Sequence, residues 1–286
     1  MASTWRMRQI GENSVRRVGR LLLLDSGSVV GMNETRYIPT GFGASRSDDV
    51  LVRYRNSDGR FVDATMAQLP VEDVLAGLPV REFRSYKGRR HYSGWYWSST
   101  TGTHLVYESR LELARLLVAD QDSTVVAIAA QPFLLEGSDG VRVRRHVPDL
   151  LLARADGTVT VVDVKAPSRV ADPKVAAQFA WTEKLCALRG FGFEVWTGMD
   201  AVELENLRFL AGYRRESTVC RELIAPVLES AAEPVSLAVL ERGLAGLAVS
   251  SLVRPVALHL LWRSRMRADL RCPLDADTVV SVGAAA

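Results

Sequence analysis

Residues 146–165 decide the fold, and they read HVPDLLLARADGTVTVVDVK. Two apolar runs, Val147–Ala153 and Thr158–Lys165, flank Asp156-Gly157, a dipeptide typical of tight turns between antiparallel strands. Both runs carry apolar residues at successive positions, so each strand buries both of its faces. The stretch therefore predicts a central β-hairpin that is covered by helices on either side.

The segments that flank this hairpin alternate between helical and extended patterns. Pro173–Arg189 begins with proline and is followed by Gly190, which predicts a helix with ordinary start and stop signals. The other predicted elements of this part are a helix at Tyr107–Ala119 and strands at Val125–Ile128, Pro132–Leu135 and Phe191–Trp196. Alternation of this kind predicts an α/β core.

The regions on either side of the core differ from it. Residues 1–80 are expected to form a β-rich N-terminal extension, in which Val50–Tyr54 and Phe61–Thr65 make a hairpin. Residues 81–213 form the α/β domain. Residues 214–286 are expected to be mainly helical, with helices at Ser236–Leu244 and Leu252–Met266 before a small hairpin within 270–282. Helix, turn, helix and hairpin is the outline of a winged helix.

Composition excludes several classes of protein. The 286 residues are 48% hydrophobic and 24% charged, with a net charge of +3, which argues against a largely disordered chain. No run of 18 apolar residues is present, so no membrane-spanning helix is expected. Three scattered cysteines match no zinc spacing and suit a reducing, cytoplasmic location.

Residues 81–102 combine basic and aromatic side chains. The aromatic members include Tyr92, Trp95 and Trp97. Such a mixture is typical of a DNA-binding surface, through phosphate contacts and stacking. A hairpin with an aromatic core and a solvated basic edge explains it equally well. The candidate DNA-binding residues are Arg81, Arg84, Lys87, Arg89 and Arg90.

Four ionisable residues carry the chemistry that the sequence indicates. Glu112 lies in a predicted helix, Asp149 follows Pro148 on one hairpin strand, and Asp163 and Lys165 lie two apart on the other. This order is the PD-(D/E)xK nuclease pattern. Phosphodiester hydrolysis needs a divalent cation, an activated water and neutralised phosphate charge. Carboxylates bind Mg²⁺, and a lysine beside them stabilises negative charge.

The register of the hairpin tests this hypothesis. A two-residue loop at Asp156-Gly157 places Asp149 opposite Val164, on the wrong face. A three-residue loop that starts at Ala155 and has Gly157 in the left-handed conformation places Asp149 opposite Asp163. The nuclease hypothesis therefore requires the longer loop.

Structural explanations of the same residues stay open. Ser109 and Glu112 have the spacing of a capping box, and Glu112 is also three residues from Arg115. Glu108 lies one helical turn before Glu112 and is the alternative helix acid. Asp163 and Lys165 have the spacing of a surface ion pair.

The chain also resembles the TnsA endonuclease subunits of heteromeric transposases. The resemblance covers roughly residues 84–213. The matching strings are Thr101-Gly102, residues 108–113 (ESRLEL), Gln131-Pro132-Phe133, residues 146–149 (HVPD) and residues 162–165 (VDVK). It implies a PD-(D/E)xK, restriction-endonuclease-like core. In this family the helix acid corresponds to Glu112 rather than to Glu108.

The resemblance further implies a Mg²⁺-dependent DNA endonuclease, with Mn²⁺ as a substitute, that cleaves the 5′ ends of a transposon in double-stranded DNA. Catalytic residues would be Glu112, Asp149, Asp163 and Lys165, and metal ligands Glu112, Asp149, Asp163 and Val164. The expected partners are a TnsB-like transposase and a TnsC-like AAA+ ATPase, with no membrane. A restriction or repair nuclease of the same fold and a non-catalytic DNA-binding adaptor are the competing hypotheses.

Overall fold

The computed structural model describes residues 50–81 and 92–283, all within one compact unit, Phe42–Ala286. Its strands are β1 (Leu51–Arg55), β2 (Phe61–Thr65), β3 (Gly94–Trp97), β4 (His104–Tyr107), β5 (Val125–Ala130), β6 (Phe133–Ser138), β7 (Val143–His146), β8 (Leu150–Arg154), β9 (Val159–Val164), β10 (Gly192–Trp196), β11 (Val235–Ser236), β12 (Met266–Arg267) and β13 (Val279–Val282). Its helices are α1 (Val71–Leu75), α2 (Arg110–Gln121), α3 (Pro167–Val170), α4 (Pro173–Arg189), α5 (Ala201–Leu210), α6 (Ile224–Ser230), α7 (Leu237–Gly243) and α8 (Ser250–Trp262).

The predicted central hairpin lies in the middle of a mixed sheet with the strand order β10-β9-β8-β5. β10 runs parallel to β9, whereas β8 is antiparallel to both of its neighbours. Successive residues of β8 enter different cores. Leu150 and Leu152 pack in the core that contains α2, and Leu151 packs with Trp181 of α4. α2 therefore covers one face, whereas α4 shares the other with β1 and β6, so the prediction of helices on both faces is only partly confirmed.

The turn of the hairpin has three residues, which confirms the longer loop. Ala153 pairs with Val159, and the N–H of Arg154 donates to the Thr158 carbonyl at 2.9 Å. Gly157 adopts a φ of 85°, a conformation that glycine reaches without steric cost. Asp156 accepts hydrogen bonds from the N–H and hydroxyl of Thr158. This register extends to Asp149 opposite Asp163.

Helix α4 begins and ends at the predicted residues. Asp172 caps its start by accepting a hydrogen bond from the Lys174 N–H at 2.9 Å, and Pro173 occupies the first turn. Gly190 ends the helix in the left-handed conformation with a φ of 76°. The helix closes one face of the central sheet.

A second sheet has the strand order β2-β1-β6-β7. It confirms the predicted N-terminal hairpin, because β1 and β2 pair antiparallel. β1 also pairs with β6, so the described part of the N-terminal extension joins strands of the α/β region. Val52 and Tyr54 pack in the same core as Trp181. Sequence analysis did not predict β7, which carries His146 at its end.

The C-terminal region contains α6, α7 and α8 and a small sheet with the strand order β11-β13-β12. The predicted helix Leu252–Met266 was too long, since α8 ends at Trp262 and Ser264 takes a φ of 53°. Met266 instead begins β12, which pairs with β13. One core contains Leu116 of α2 and Trp262 of α8, so packing is continuous across residue 213. No helix in residues 50–81 or 92–283 has the length and apolar character to cross a membrane.

Candidate active site

Asp149 lies at the start of β8, where the main chain holds it on two sides. Its N–H donates to the Val162 carbonyl of β9 at 3.1 Å, and its carbonyl accepts from the Gln131 N–H at 2.8 Å. Its carboxylate accepts a short hydrogen bond from the Val164 N–H, at 2.6 Å. These contacts position the Asp149 carboxylate beside the end of β9, where Lys165 follows.

The predicted acids and the lysine act on Asp149 electrostatically. Burial raises the pKa of Asp149 to about 7, and the charges of Glu112 and Asp163 contribute to the increase. The Val164 N–H and the Lys165 ammonium oppose it. The fold therefore brings together Glu112 of α2, Asp149 before β8, and Asp163, Val164 and Lys165 of the β9 segment.

Glu112 is both a capping residue and part of this site. Its carboxylate accepts from the Glu108 N–H at 2.7 Å and from the Ser109 hydroxyl at 2.9 Å. The Ser109 oxygen in turn accepts from the Glu112 N–H at 3.1 Å, which completes the capping box. Burial raises the pKa of Glu112, and the Glu108 charge adds to the increase. The capping bonds thus fix the orientation of a carboxylate whose charge reaches Asp149.

The neighbours of Glu112 have other partners. Glu108 forms an ion pair with Arg81 at 3.2 Å. Arg115, a possible partner for Glu112 by sequence, instead makes two hydrogen bonds to Glu194 of β10, at 2.9 and 2.8 Å. Arg115 therefore does not neutralise Glu112, and the Glu112 charge contributes to the raised pKa of Asp149.

Asp163 lies opposite Asp149 but has a partner that sequence analysis missed. The residue is only 2% exposed, and its two carboxylate oxygens lie 2.9 and 2.8 Å from Nε2 of His146. Its charge, after burial, helps to raise the pKa of the Cys186 thiol in α4 to about 12. The Asp163 carboxylate is thus buried and paired with a histidine of the second sheet. His146 is three residues from Asp149 and begins the matching string HVPD, and these were the signals that could have found it.

Gln131 was part of the family resemblance but was not proposed as a site residue. It is adjacent to Asp149 through its main-chain N–H and adopts a φ of 48°, unusual for a residue with a side chain. The residue is 2% exposed, and neither polar atom of its side chain has a hydrogen-bond partner. A strained backbone and an unpaired buried amide both lower the stability of the folded protein, and such features concentrate at functional sites.

The basic and aromatic stretch is only partly described. Arg84, Lys87, Arg89 and Arg90 lie outside the described residues, and Arg81 is the member of the set that can be placed. In the β3–β4 hairpin, Tyr96 is buried and donates to Asp120 at 2.6 Å, whereas Trp95 is 64% exposed. The hairpin therefore has a packed aromatic face and also presents an indole to solvent.

The donor set at Asp149 fits a hard divalent cation. Within residues 50–81 and 92–283, no three His, Cys, Asp or Glu side chains cluster in a metal-binding arrangement. Mg²⁺, however, typically takes only one or two carboxylates, together with waters and substrate phosphates. Asp149 and Glu112 are two such carboxylates, and burial raises both of their pKa values. A bound cation would stabilise the ionised forms of both carboxylates, so the residues present suit Mg²⁺ or Mn²⁺.

Comparison with models of known protein families finds no match for this chain, and comparison with curated proteins finds none either.

Proposed function

We propose that this protein is a Mg²⁺-dependent DNA endonuclease of the PD-(D/E)xK type, and that it acts as a TnsA-like subunit of a heteromeric transposase. The observation that supports this most is the environment of Asp149. Burial and the Glu112 charge raise its pKa to about 7, with Lys165 near enough to oppose the shift. Two acids whose ionised forms are destabilised by burial, next to a lysine, are expected where a cation and a phosphate bind.

Asp149 and Glu112 would hold the cation, with the main chain of Val164 beside them. When bound, Mg²⁺ supplies Lewis-acid polarisation of the phosphate and lowers the pKa of a water. The capping box keeps Glu112 in one orientation, and the Val164 N–H does the same for Asp149. The Lys165 ammonium donates hydrogen bonds to the phosphate oxygens and balances their charge.

Asp163 serves this site indirectly in our proposal. Its pair with His146 joins β9 of the central sheet to β7 of the second sheet. That link fixes the end of β9, from which Val164 and Lys165 extend. The described part of the N-terminal extension contributes here as well, because β1 and β2 extend the sheet that carries β7.

The C-terminal region supports the transposition part of the proposal. Its element order, α6, β11, α7, α8, β12 and β13, and its sheet order, β11-β13-β12, are typical of a winged helix. A TnsA-like subunit would use such a domain with its partners, a TnsB-like transposase and a TnsC-like ATPase. It would act on double-stranded DNA in the cytoplasm.

Cleavage of transposon-end DNA by the full chain tests the proposal. The assay contains Mg²⁺, Mn²⁺ or EDTA, with and without the partner transposase. Asp149→Ala and Lys165→Ala are each expected to reduce strand cleavage by at least about 100-fold, since each removes a charge that acts at the phosphate. Asp58→Ala and Lys174→Ala, at positions away from the site, serve as matched controls. Wild-type rates in both site variants would contradict the proposal.

The same assay separates the subunit from a nuclease that works alone. A TnsA-like subunit should cleave only the 5′ ends of transposon DNA, and only with the transposase present. Metal-dependent cleavage of plain DNA by the purified chain alone would instead identify a restriction or repair nuclease. DNA binding without cleavage under any of these conditions would indicate an adaptor.

A further inference from the structure

A basic cavity of about 490 Å³ lies where the β3–β4 hairpin meets the C-terminal region. Its lining includes Trp97, His104, Arg214, Arg215, His259 and Arg263. Among its described lining residues Glu216 is the one acid, and it pairs with Arg221 at 3.0 Å. The cavity therefore carries an excess of positive charge that the candidate active site does not explain.

Two arginines in this cavity have unused hydrogen-bond donors. The Arg215 and Arg263 side chains are exposed, and neither guanidinium has an ion-pair or hydrogen-bond partner among the described residues. Some other arginines are paired, since Arg115 binds Glu194 and Arg254 binds Glu241. Two unpaired guanidinium groups in one concave site favour an anionic ligand.

The neighbouring side chains hold this site in place. Arg214 donates from Nε to the Trp97 carbonyl at 2.9 Å, which joins the loop after α5 to β3. The guanidinium of Arg215 lies 4.3 Å from the centroid of the Trp97 ring, a stacking distance. His259 is 5% exposed, and its Nδ1 donates to the Tyr213 carbonyl at 2.7 Å, which fixes the orientation of its ring. Arg215 is thus partly ordered before any ligand binds.

A second cavity, of about 580 Å³, lies along the same hairpin. The two cavities share His104, and the second is also lined by Trp95 and Arg81. Trp95 and Trp97 are two residues apart on β3, so they face the same side. Arg81 binds Glu108, one turn before Glu112. The outer face of the hairpin therefore leads from the basic cavity towards the candidate active site.

We propose that the basic cavity binds backbone phosphates of the DNA that the site cleaves, with Arg215 and Arg263 as the principal contacts. This inference rests on the proposed nuclease function and adds where the substrate is held. Phosphate groups match guanidinium geometry, and successive phosphates along a strand can reach a groove of this kind. A free phosphate or nucleotide has the same chemistry, and the experiment distinguishes it from DNA.

Binding measured without cleavage tests this proposal. A fluorescent 30-base-pair duplex is titrated with the full chain in EDTA at several salt concentrations, and binding is followed by anisotropy. We compare wild type with Arg215→Ala/Arg263→Ala. The control is Arg60→Ala/Arg142→Ala, which removes the same charge from two exposed arginines elsewhere. Circular dichroism establishes that every variant is folded.

The cavity variant is expected to bind at least about tenfold more weakly at 0.1 M salt. The slope of log affinity against log salt should fall by about 0.9 for each lost phosphate contact. The control should retain the wild-type slope, and Arg215→Lys/Arg263→Lys should recover part of the affinity. Equal losses of DNA affinity in the cavity and control variants would overturn the proposal, because the loss would then reflect only the lower positive charge of the protein.

Two further outcomes separate this proposal from others. Calorimetry should detect no saturable binding of inorganic phosphate or of a mononucleotide at ligand concentrations up to about 1 mM. An ordinary small-anion site would be occupied in that range. Tight binding of either, with DNA affinity unchanged in the cavity variant, would overturn the DNA assignment. Cleavage is read separately. A wild type that binds through the cavity and never cleaves leaves this inference standing and refutes the nuclease function.

Discussion

Replacing Asp149 with asparagine should stabilise the metal-free protein at pH 8 and abolish its activity. The unfolded chain loses the Asp149 proton near the ordinary pKa of 3.8, whereas the folded chain keeps it up to about 7. Between those values the folded protein binds more protons, so the free energy of unfolding falls as the pH rises. The carboxylate therefore destabilises the folded protein above pH 7 and has no such effect below about pH 4.

The expected size follows from the same shift. A shift of one pKa unit corresponds to about 1.4 kcal/mol of folding free energy. The raised pKa of Asp149 can therefore destabilise the folded protein by at most about 4 kcal/mol. Asp149 keeps some contact with solvent, and we expect about half of that, ~2 kcal/mol. Asparagine has nearly the same shape, and its oxygen can still accept the Val164 N–H. The melting temperature of Asp149→Asn should rise by about 4 °C at pH 8.

Thermal unfolding in EDTA at pH 5, 6.5 and 8 measures this difference. The rise in melting temperature caused by Asp149→Asn should shrink steadily towards pH 5. The control Asp58→Asn, at an exposed turn, should change the melting temperature by less than about 1 °C. Added Mg²⁺ should stabilise the wild type at pH 8 and leave Asp149→Asn unchanged, because ligand binding stabilises only the form that binds it. A variant that melts lower than wild type at pH 8, or a gain equal at pH 5 and 8, would refute this reasoning.

Further substitutions test the residues around Asp149. Glu112→Gln keeps one of the two acceptor oxygens of the capping box and should change stability by about 1 kcal/mol or less, yet reduce cleavage at least about 100-fold; Glu108→Gln should leave cleavage within about twofold. His146→Ala leaves the buried Asp163 carboxylate unpaired and should cost about 3 kcal/mol in urea unfolding. Adding Asp163→Asn should recover part of that loss, and full additivity would contradict the pairing. Gln131→Met removes an unpaired buried amide and should raise the free energy of unfolding by about 1 kcal/mol while cleavage falls. Unchanged cleavage in that variant would mean that Gln131 has no part in the site.

Features that depend on short stretches of chain were predictable. The Asp156-Gly157 turn, the start of α4 at Pro173 and its end at Gly190, and the Ser109–Glu112 capping box all involve residues within a few positions of each other. Their geometry follows from local backbone preferences and hydrogen bonds. The sequence left two loop lengths open, and the observed three-residue loop is what places Asp149 opposite Asp163.

Helix and strand ends were less predictable where tertiary packing overrides a pattern. The apolar run Leu252–Met266 predicted one helix, but the chain reverses at Ser264 so that Met266 can pair with Val282 of β13. β7 was missed for a related reason. Its residues Val143–His146 are mostly basic, and only pairing with β6 makes them a strand.

Sequence alone predicted the α/β character of the chain and its central hairpin, and it singled out Asp149 together with Glu112, Asp163 and Lys165, whose charges act on it. Tertiary structure decided which groups those residues contact. Asp163 pairs with His146 across two sheets, Arg115 binds Glu194 and not Glu112, and Arg215 stacks on Trp97. Each of these contacts joins side chains from separate elements. Local conformational preferences carry no information about such contacts, because they form only when burial of apolar surface brings the elements together.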